Sequence, residues 1–130
     1  MNPELTSHWI KKHGVDGLGT MVEPEKYLLN GLDPVEAERW AGMLTANPML
    51  TAKLTNDAYA NVPCAYLVLE GDLILPQQYQ EGMVALQQAK TGDFTLYYSP
   101  SGHSPQLTWT EGVVDTVVNF AGKVTGNPEG

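Results

Sequence analysis

A near-continuous apolar segment, CAYLVLE at residues 64–70, restricts the possible fold more than any other stretch of this chain. Val62-Pro63 precedes the segment and Gly71-Asp72 follows it, and such residues are typical of the ends of a regular element. A strand that is apolar on both faces is characteristic of a parallel sheet, because helices cover both sides of such a sheet. The segment therefore predicts a buried strand that needs neighbours on both of its edges.

The residues after this segment alternate between helical and extended patterns. Residues 76–90 are typical of a helix with a shared face formed by Tyr79, Met83 and Leu86. Residues 94–98, FTLYY, are β-branched and aromatic and predict a second strand. A capping box of Thr108 and Glu111 then starts a last helix. The apolar residues expected to be buried on that helix are Val113, Val117, Phe120, Ala121 and Val124. The order predicts an α/β fold with a βαβα parallel unit and a right-handed crossover.

One carboxylate and one imidazole follow the two predicted strands. Asp72 lies just past the first strand, and His103 lies just past the second, where SPSG at residues 99–102 turns the chain. The carboxyl ends of the strands in an open α/β sheet form the edge where ligands bind. Because the crossover brings these ends together, Asp72 could fix the tautomer of His103 and stabilise its imidazolium form. The alternative is a histidine on a surface loop without a catalytic role.

Residues 1–60 are expected to form a helical lid or cap region, residues 61–125 the βαβα core and residues 126–130 a flexible tail. The first 30 residues are weakly patterned and suggest short helical pieces joined by turns. Residues 33–47 predict a helix, because Asp33 is a good N-cap, Pro34 fits the first turn and Glu36 completes a capping box. An apolar stripe on this helix includes Trp40, which either packs into a core or lines a pocket.

The charge and composition exclude several classes of function. A net charge of −8 argues against nucleic acid or an anionic membrane as partner, since both need a basic surface. No apolar run approaches the roughly 20 residues that span a bilayer, and no secretory signal is evident. The single cysteine, Cys64, excludes an internal disulfide and favours a reducing compartment, so we expect a cytoplasmic protein. His8 and His13 are five residues apart and fall on different helix faces, so neither a metal nor a cofactor is expected.

Three segments resemble the α/β-hydrolase superfamily, with the closest similarity to the plant methylesterase and hydroxynitrile-lyase-like branch. They are VPCAYLVLEGDLILP, SPSGHSPQLT and the lid-like LNGLDPVEAERWAGML, and the resemblance covers about residues 24–122. It implies that Asp72 is the acid and His103 the base of a catalytic triad. It also implies a substrate pocket under the lid, for which Trp40, Met43 and Leu75 are candidate residues.

The chain departs from that family in one large respect. These enzymes carry a nucleophilic serine in a G-x-S-x-G turn that precedes the acid and the histidine, and this chain has no such motif. The sequence resembles only the lid and the C-terminal half of the fold. Cys64 begins the strand that Asp72 follows, so we place it on the order of 25 Å from the site and reject it as a nucleophile. Ser101 and Ser104 flank His103 but have no strained turn to present them.

The sequence leaves three functions open. The chain could be part of a hydrolase for an ester or related acyl bond of a small molecule, with the serine supplied elsewhere. It could bind or transform a small molecule without hydrolysis, with His103 as a lone acid or base. It could also be an inactive fragment. In each case we expect association with a missing N-terminal half or with a second copy, because two strands make a poor sheet.

Overall fold

The structure is a computed structural model that describes residues 10–12, 17–48, 53 and 55–126. The histidine pair His8 and His13 and the tail after Gly126 lie outside the described residues. The elements in chain order are β1 (Ile10–Lys12), β2 (Leu18–Met21), α1 (Pro24–Tyr27), α2 (Pro34–Ala41), β3 (Asn47–Pro48), a 3₁₀ turn (Ala58–Ala60), β4 (Cys64–Leu69), α3 (Gln77–Thr91), β5 (Phe94–Ser99), α4 (Pro105–Thr108) and α5 (Thr110–Thr125).

Strands β4 and β5 form a parallel pair, so the prediction of an α/β fold with a small parallel sheet is confirmed. The register runs from Cys64 opposite Phe94 to Leu69 opposite Ser99. Helix α3 connects the two strands and packs against β4. Helix α5 lies beside β5, where the Tyr97 hydroxyl donates to Asn119 Oδ1 at 2.7 Å. The unit brings the carboxyl ends of both strands to one edge.

The region before residue 60 is not purely helical, which corrects the expectation of helical pieces alone. Strands β1, β2 and β3 form a three-stranded antiparallel sheet in that order. Ile10 pairs with Met21. Leu18 pairs with Pro48, which follows helices α1 and α2 in the sequence. These strands are two to four residues long, and β2 and β3 pair across about 30 residues of sequence. A local pattern does not reveal such pairing. The boundary of a lid at residue 60 stays a prediction.

Helix α2 begins as predicted and ends earlier than predicted. Oδ1 of Asp33 accepts a hydrogen bond from the Val35 amide at 3.0 Å, which confirms the N-cap. The Glu36 carboxylate binds Arg39 at 2.8 Å, so the second half of the expected capping box does not form. The helix ends at Ala41, before Gly42, whereas the sequence pattern extended to residue 47. A glycine in a helix interior is costly, and the chain continues here in turns.

The apolar core of the described residues is small. Its most buried members are Val68 of β4, Val84 of α3, Leu29, Ala37 and Ile74. Helix α5 contributes no fully buried residue: Val113 and Phe120 are half-buried, and Val117 is 61% exposed, so the described residues cover the predicted buried face of this helix only in part. The shared face of Tyr79, Met83 and Leu86 on α3 is also exposed. A two-stranded sheet is too narrow to cover the apolar faces of both helices.

The start of α5 also differs from the sequence expectation. The residue before the helix is Trp109, which makes no side-chain cap, and the Thr108 hydroxyl donates to the Ser104 carbonyl at 3.2 Å. Thr108 is the last residue of the short helix α4, so it does not cap α5, and the predicted box with Glu111 is wrong. The indole of Trp109 instead lies so close over Gly112 that a Cβ there would overlap the ring.

Candidate active site

Two loops leave the parallel sheet side by side at its carboxyl edge. We call residues 70–76 the acid loop and residues 100–104 the histidine loop. The sheet hydrogen bonding continues into them, because the Glu70 amide donates to the Ser99 carbonyl at 2.9 Å and the Gly71 amide donates to the Ser101 carbonyl at 3.0 Å. A Cβ on Gly71 would lie 2.9 Å from the Pro100 carbonyl oxygen, closer than real Cβ contacts. Glycine therefore permits the close approach of the loops.

Asp72 and His103 meet at this edge. His103 Nδ1 lies 2.8 Å from Asp72 Oδ2, across 31 residues of sequence. The Asp72 side chain is 2% exposed, whereas the His103 side chain is 34% exposed. The second carboxylate oxygen, Oδ1, accepts the amides of Ile74 at 2.8 Å and Leu75 at 3.0 Å. Both oxygens are therefore engaged, and the carboxylate has one fixed orientation toward the imidazole.

These contacts determine the charge of Asp72. Burial opposes ionisation of the carboxyl, and it is outweighed by the hydrogen bonds from His103 and from the amides of Leu75 and Ile74. The pKa of Asp72 is consequently lowered from its ordinary value. Asp72 is thus an anion at neutral pH, and an anionic carboxylate only accepts hydrogen bonds.

The ionised carboxylate fixes the tautomer of His103. Because Asp72 can only accept, Nδ1 of His103 carries the hydrogen, and in the neutral ring Nε2 keeps its lone pair. Within the described ranges no hydrogen bond to Nε2 is formed. A partly exposed imidazole with a free Nε2 and a buried carboxylate on Nδ1 has the arrangement of a general base that can receive and return a proton.

Asn30 joins the two loops, and no sequence motif pointed to it. Its Nδ2 donates to the Gly71 carbonyl at 2.9 Å, and its Oδ1 accepts the His103 amide at 3.3 Å. The neighbouring chain is attached at the same place, since the Ser104 hydroxyl donates to the Leu28 carbonyl at 2.7 Å. A single asparagine between two helices carries no local pattern that would have identified this role.

Gln80 on α3 holds the acid loop by hydrogen bonds to backbone groups. No sequence motif pointed to this residue either. It is 1% exposed, and its carboxamide makes three hydrogen bonds to backbone. Oε1 accepts the Leu69 amide at 2.9 Å, while Nε2 donates to the carbonyls of Leu69 at 2.9 Å and Leu75 at 2.7 Å. These bonds link the last residue of β4 to the C-terminal part of the acid loop. Gln80 lies four residues before Val84, so the two residues share a helix face, and this is the buried face of α3. That spacing was the available signal that Gln80 is buried.

The hydroxyls near the site and the single thiol of the chain make hydrogen bonds away from His103. Ser99 and Ser101 share a 2.7 Å hydrogen bond, and the Ser104 hydroxyl is bound to the Leu28 carbonyl. Cys64 starts β4 at the end remote from Asp72, and its thiol lies 3.2 Å from the Val62 carbonyl oxygen. Among the described residues, none of these groups is hydrogen-bonded to the His103 ring. That Cys64, Ser101 and Ser104 are not the nucleophile stays a prediction.

The three candidate pocket residues lie in different environments. Trp40 packs under the Arg39 guanidinium, 5.0 Å from the ring centroid, and Met43 is 60% exposed. Leu75 touches the site through its backbone amide, which binds Asp72. A cavity of about 280 Å³ beside the histidine loop is lined by Asn30, Gly31, Gly71, Pro100, Ser101, Gly102, Thr108 and Trp109. The cavity does not include the three candidates, and their role in substrate binding stays a prediction.

Two other kinds of feature are absent from the described part of the chain. No group of three His, Cys, Asp or Glu side chains there could hold a metal ion. None of the helices that the structure describes has both the length and the apolar character needed to span a bilayer.

The parallel sheet with an acid–histidine pair at its carboxyl edge is an arrangement of α/β hydrolases, and a sequence relative carries that name. The chain is 31% identical over 100 residues to alpha/beta hydrolase nvfD of Aspergillus novofumigatus (strain IBT 16806). The match covers 74% of this chain, and this chain spans only 38% of the length of that hydrolase. No family model matches the chain, and no solved structure matches it. The similarity supports the α/β-hydrolase superfamily.

Proposed function

We propose that this chain carries the acid and the histidine of an α/β hydrolase that cleaves an ester or related acyl bond of a small molecule. The supporting observation is the 2.8 Å contact between His103 Nδ1 and a buried, ionised Asp72 at the carboxyl edge of a parallel sheet. The nucleophilic serine and the oxyanion hole of this proposal come from outside the 130 residues. The lid-plus-C-terminal-half assignment and the similarity to the plant methylesterase branch are parts of the same proposal.

The proposed reaction uses the free nitrogen of His103. Nε2 accepts the proton of the serine hydroxyl as its oxygen attacks the acyl carbon, and the imidazolium then returns that proton to the leaving alcohol. Water hydrolyses the acyl-enzyme by the same route, with Nε2 first accepting a proton from water and then returning it to the serine. Asp72 stabilises the imidazolium through Nδ1–H in both halves. Each proton taken is returned, so the catalyst is restored.

The proposal requires a partner for the described sheet. The outer edges of β4 and β5 pair with no strand among the described residues, and valines of α5 are exposed as well. An apolar strand with free edges is prone to association. The greater length of the related hydrolase also leaves room for the sheet portion that would supply the serine. A missing N-terminal half or a second copy would complete the sheet, and a reducing compartment such as the cytoplasm suits a chain with one cysteine.

The substrate pocket is proposed to lie between this edge and the helices before residue 60. Trp40, Met43 and Leu75 are the candidate lining residues. The exposure of Met43 leaves its side chain available to a ligand or to the missing half of the fold. No metal or cofactor has a part in this chemistry.

A second function has support from the serines of the histidine loop. Ser101 and Ser104 are buried and bonded away from the imidazole, so they offer His103 no hydroxyl to activate. His103 would then act alone, as an acid or base on a bound small molecule that undergoes no hydrolysis. This alternative keeps Asp72 in the same orienting role and removes the need for a serine from elsewhere.

A fluorophosphonate probe separates these proposals because it reacts only with an activated serine. We expect the pure 130-residue chain to remain unlabelled and to cleave no p-nitrophenyl ester. The tagged chain purified from its native cells should contain a labelled serine in a longer product or an associated polypeptide. The label should disappear with His103→Ala. Labelling of a serine within the pure chain would overturn the external nucleophile, and labelling that survives His103→Ala would overturn the role of His103.

A further inference from the structure

Asn30 occupies an unusual place between the two loops of the candidate site. It lies between α1 and α2, 41 residues before Gly71 and 73 residues before His103. Its neighbour Leu29 is 3% exposed, and the carbonyl of Leu28 accepts the Ser104 hydroxyl at 2.7 Å. The segment 28–30 is therefore fixed against the core and against the histidine loop. Asn30 extends from this fixed segment.

The Asn30 carboxamide contacts the backbone beside each member of the acid–histidine pair. Nδ2 donates to the carbonyl of Gly71, the residue before Asp72, at 2.9 Å. Oδ1 accepts the amide of His103 itself at 3.3 Å. We propose that Asn30 is a positioning residue that sets the separation and relative orientation of Asp72 and His103 without touching substrate. The two hydrogen bonds of Asn30 alone carry the positioning role. The reason for such positioning rests on the proposed hydrolase function.

The chemistry of the side chain explains why a carboxamide is needed here. One planar group supplies a donor for one loop and an acceptor for the other. Aspartate would place an oxygen against the Gly71 carbonyl, and leucine has similar size with neither function. The Asn30 carboxamide also packs closely against Gly102, because a Cβ on Gly102 would overlap it. Gly102→Ala would thus displace the carboxamide without deleting it.

The test reads the tautomer of His103 in the full chain by NMR. The chain is labelled with ¹⁵N-histidine, His103 is assigned by loss of its signals in His103→Gln, and two-bond proton–nitrogen correlations distinguish Nδ1–H from Nε2–H rings. We expect the Nδ1–H form in the wild type. Asn30→Leu and Gly102→Ala should each lose most of it, because the imidazole no longer faces Asp72 in a fixed geometry. The double variant should be no worse than Asn30→Leu alone, since Gly102→Ala acts by moving Asn30.

The matched control is Val84→Ala, which removes buried methyl groups from α3 and deletes no hydrogen bond. It should destabilise the chain to urea while leaving the tautomer of His103 unchanged, because its cost is a cavity in the core. A folded Asn30→Leu that keeps the Nδ1–H form overturns the proposal, as does a wild type in the Nε2–H form. If Asn30→Leu does not fold, Gly102→Ala decides in the same way, since it removes no hydrogen-bonding group.

The positioning role and the hydrolase function fail in different ways. A changed tautomer in Asn30→Leu together with ester cleavage that is independent of His103 would retain the positioning role and overturn the hydrolase function. An unchanged tautomer together with cleavage that requires His103 would do the reverse.

Discussion

Leu69 and Ser99 lie opposite each other as the last register pair of β4 and β5. Because the two parallel strands end at the same register position, the loops that follow them begin side by side at the carboxyl edge of the sheet. Asp72 follows Leu69 by three residues and His103 follows Ser99 by four, and the two side chains meet at 2.8 Å. The candidate site is thus a consequence of strand register, and the contacts of Gly71, Asn30 and Gln80 then fix its details.

Replacing Asp72 with asparagine should abolish most of the proposed activity while leaving the fold. An amide at this position can no longer stabilise the imidazolium, and it favours the wrong tautomer of His103. The assay uses the tagged chain purified from its native cells. We expect the kcat of its ester cleavage to fall by about 10³–10⁴-fold, with a smaller change in KM. Asp93→Asn is the control, because Asp93 is an exposed carboxylate before the opposite end of β5. Equal activity of the two variants would remove Asp72 from the mechanism.

Much of the parallel unit was predictable from short patterns. The apolar run at residues 64–70, the helix after Pro76 and the aromatic strand before Pro100 each have a local signature, and their order determines which ends meet. Asp72 and His103 were identifiable for the same reason, since each directly follows a predicted strand. The contact between Asp72 and His103 could therefore be predicted from the sequence, and their catalytic role stays a proposal.

The remaining features depend on contacts that no local pattern records. The β1–β2–β3 sheet joins strands of two to four residues, some of them across intervening helices. Asn30 and Gln80 act by bonding backbone groups of other elements, and a polar residue with such a role looks like any surface asparagine or glutamine. The apolar pattern of α5 was real, yet it predicted burial that the described residues provide only in part. A pattern shows which face should be covered and not what covers it.

Acid should weaken the fold partly through Asp72, with a defined sign. The folded pKa of Asp72 is lowered, so its contribution to the free energy of unfolding is complete above the unfolded pKa of about 4 and is lost as the pH falls through the folded pKa. We expect wild type to exceed Asp72→Asn in stability at about pH 6 and the difference to shrink as the pH falls below the unfolded pKa of about 4. Urea unfolding of both chains across this range gives the difference. A constant difference would contradict the lowered pKa.

Gln80→Met should destabilise the chain more than an exposed glutamine substitution on the same helix. Methionine fills the volume but leaves the Leu69 amide and the carbonyls of Leu69 and Leu75 without their partner. Buried unsatisfied groups of this kind cost on the order of 1–3 kcal/mol each, so for three groups we expect a loss of at least about 3 kcal/mol in urea unfolding. Gln78→Met on the exposed face of α3 is the matched control, with a change within about 0.5 kcal/mol. Similar losses in both variants would contradict a specific role for Gln80.

The exposed valines of α5 should drive association of the purified chain. Val114 is 55% exposed and Val117 is 61% exposed, and both lie on α5, which packs against β5. We expect sedimentation equilibrium to give a mass above that of one 130-residue chain at micromolar concentration. Val117→Lys should weaken this association, whereas Asp115→Asn, which replaces a charged neighbour with a polar one, should not. A monodisperse monomer at these concentrations would exclude a second copy of the chain as the partner and leave the missing N-terminal half.

Alanine at two glycines should shift stability in opposite directions. A Cβ on Gly71 would lie 2.9 Å from the Pro100 carbonyl oxygen and 3.0 Å from that of Ser101, and backbone at the end of a sheet cannot yield easily. Gly71→Ala should therefore lower the free energy of unfolding by about 1–3 kcal/mol and move the acid loop away from His103. Gly82 lies inside α3, and an alanine methyl group there would have no neighbouring atom within 4 Å, so Gly82→Ala should raise stability by about 0.5–1 kcal/mol. Urea unfolding of both variants measures the contrast. A Gly71→Ala chain as stable as wild type would show that the two loops are not held at the separation on which the Asp72–His103 contact depends.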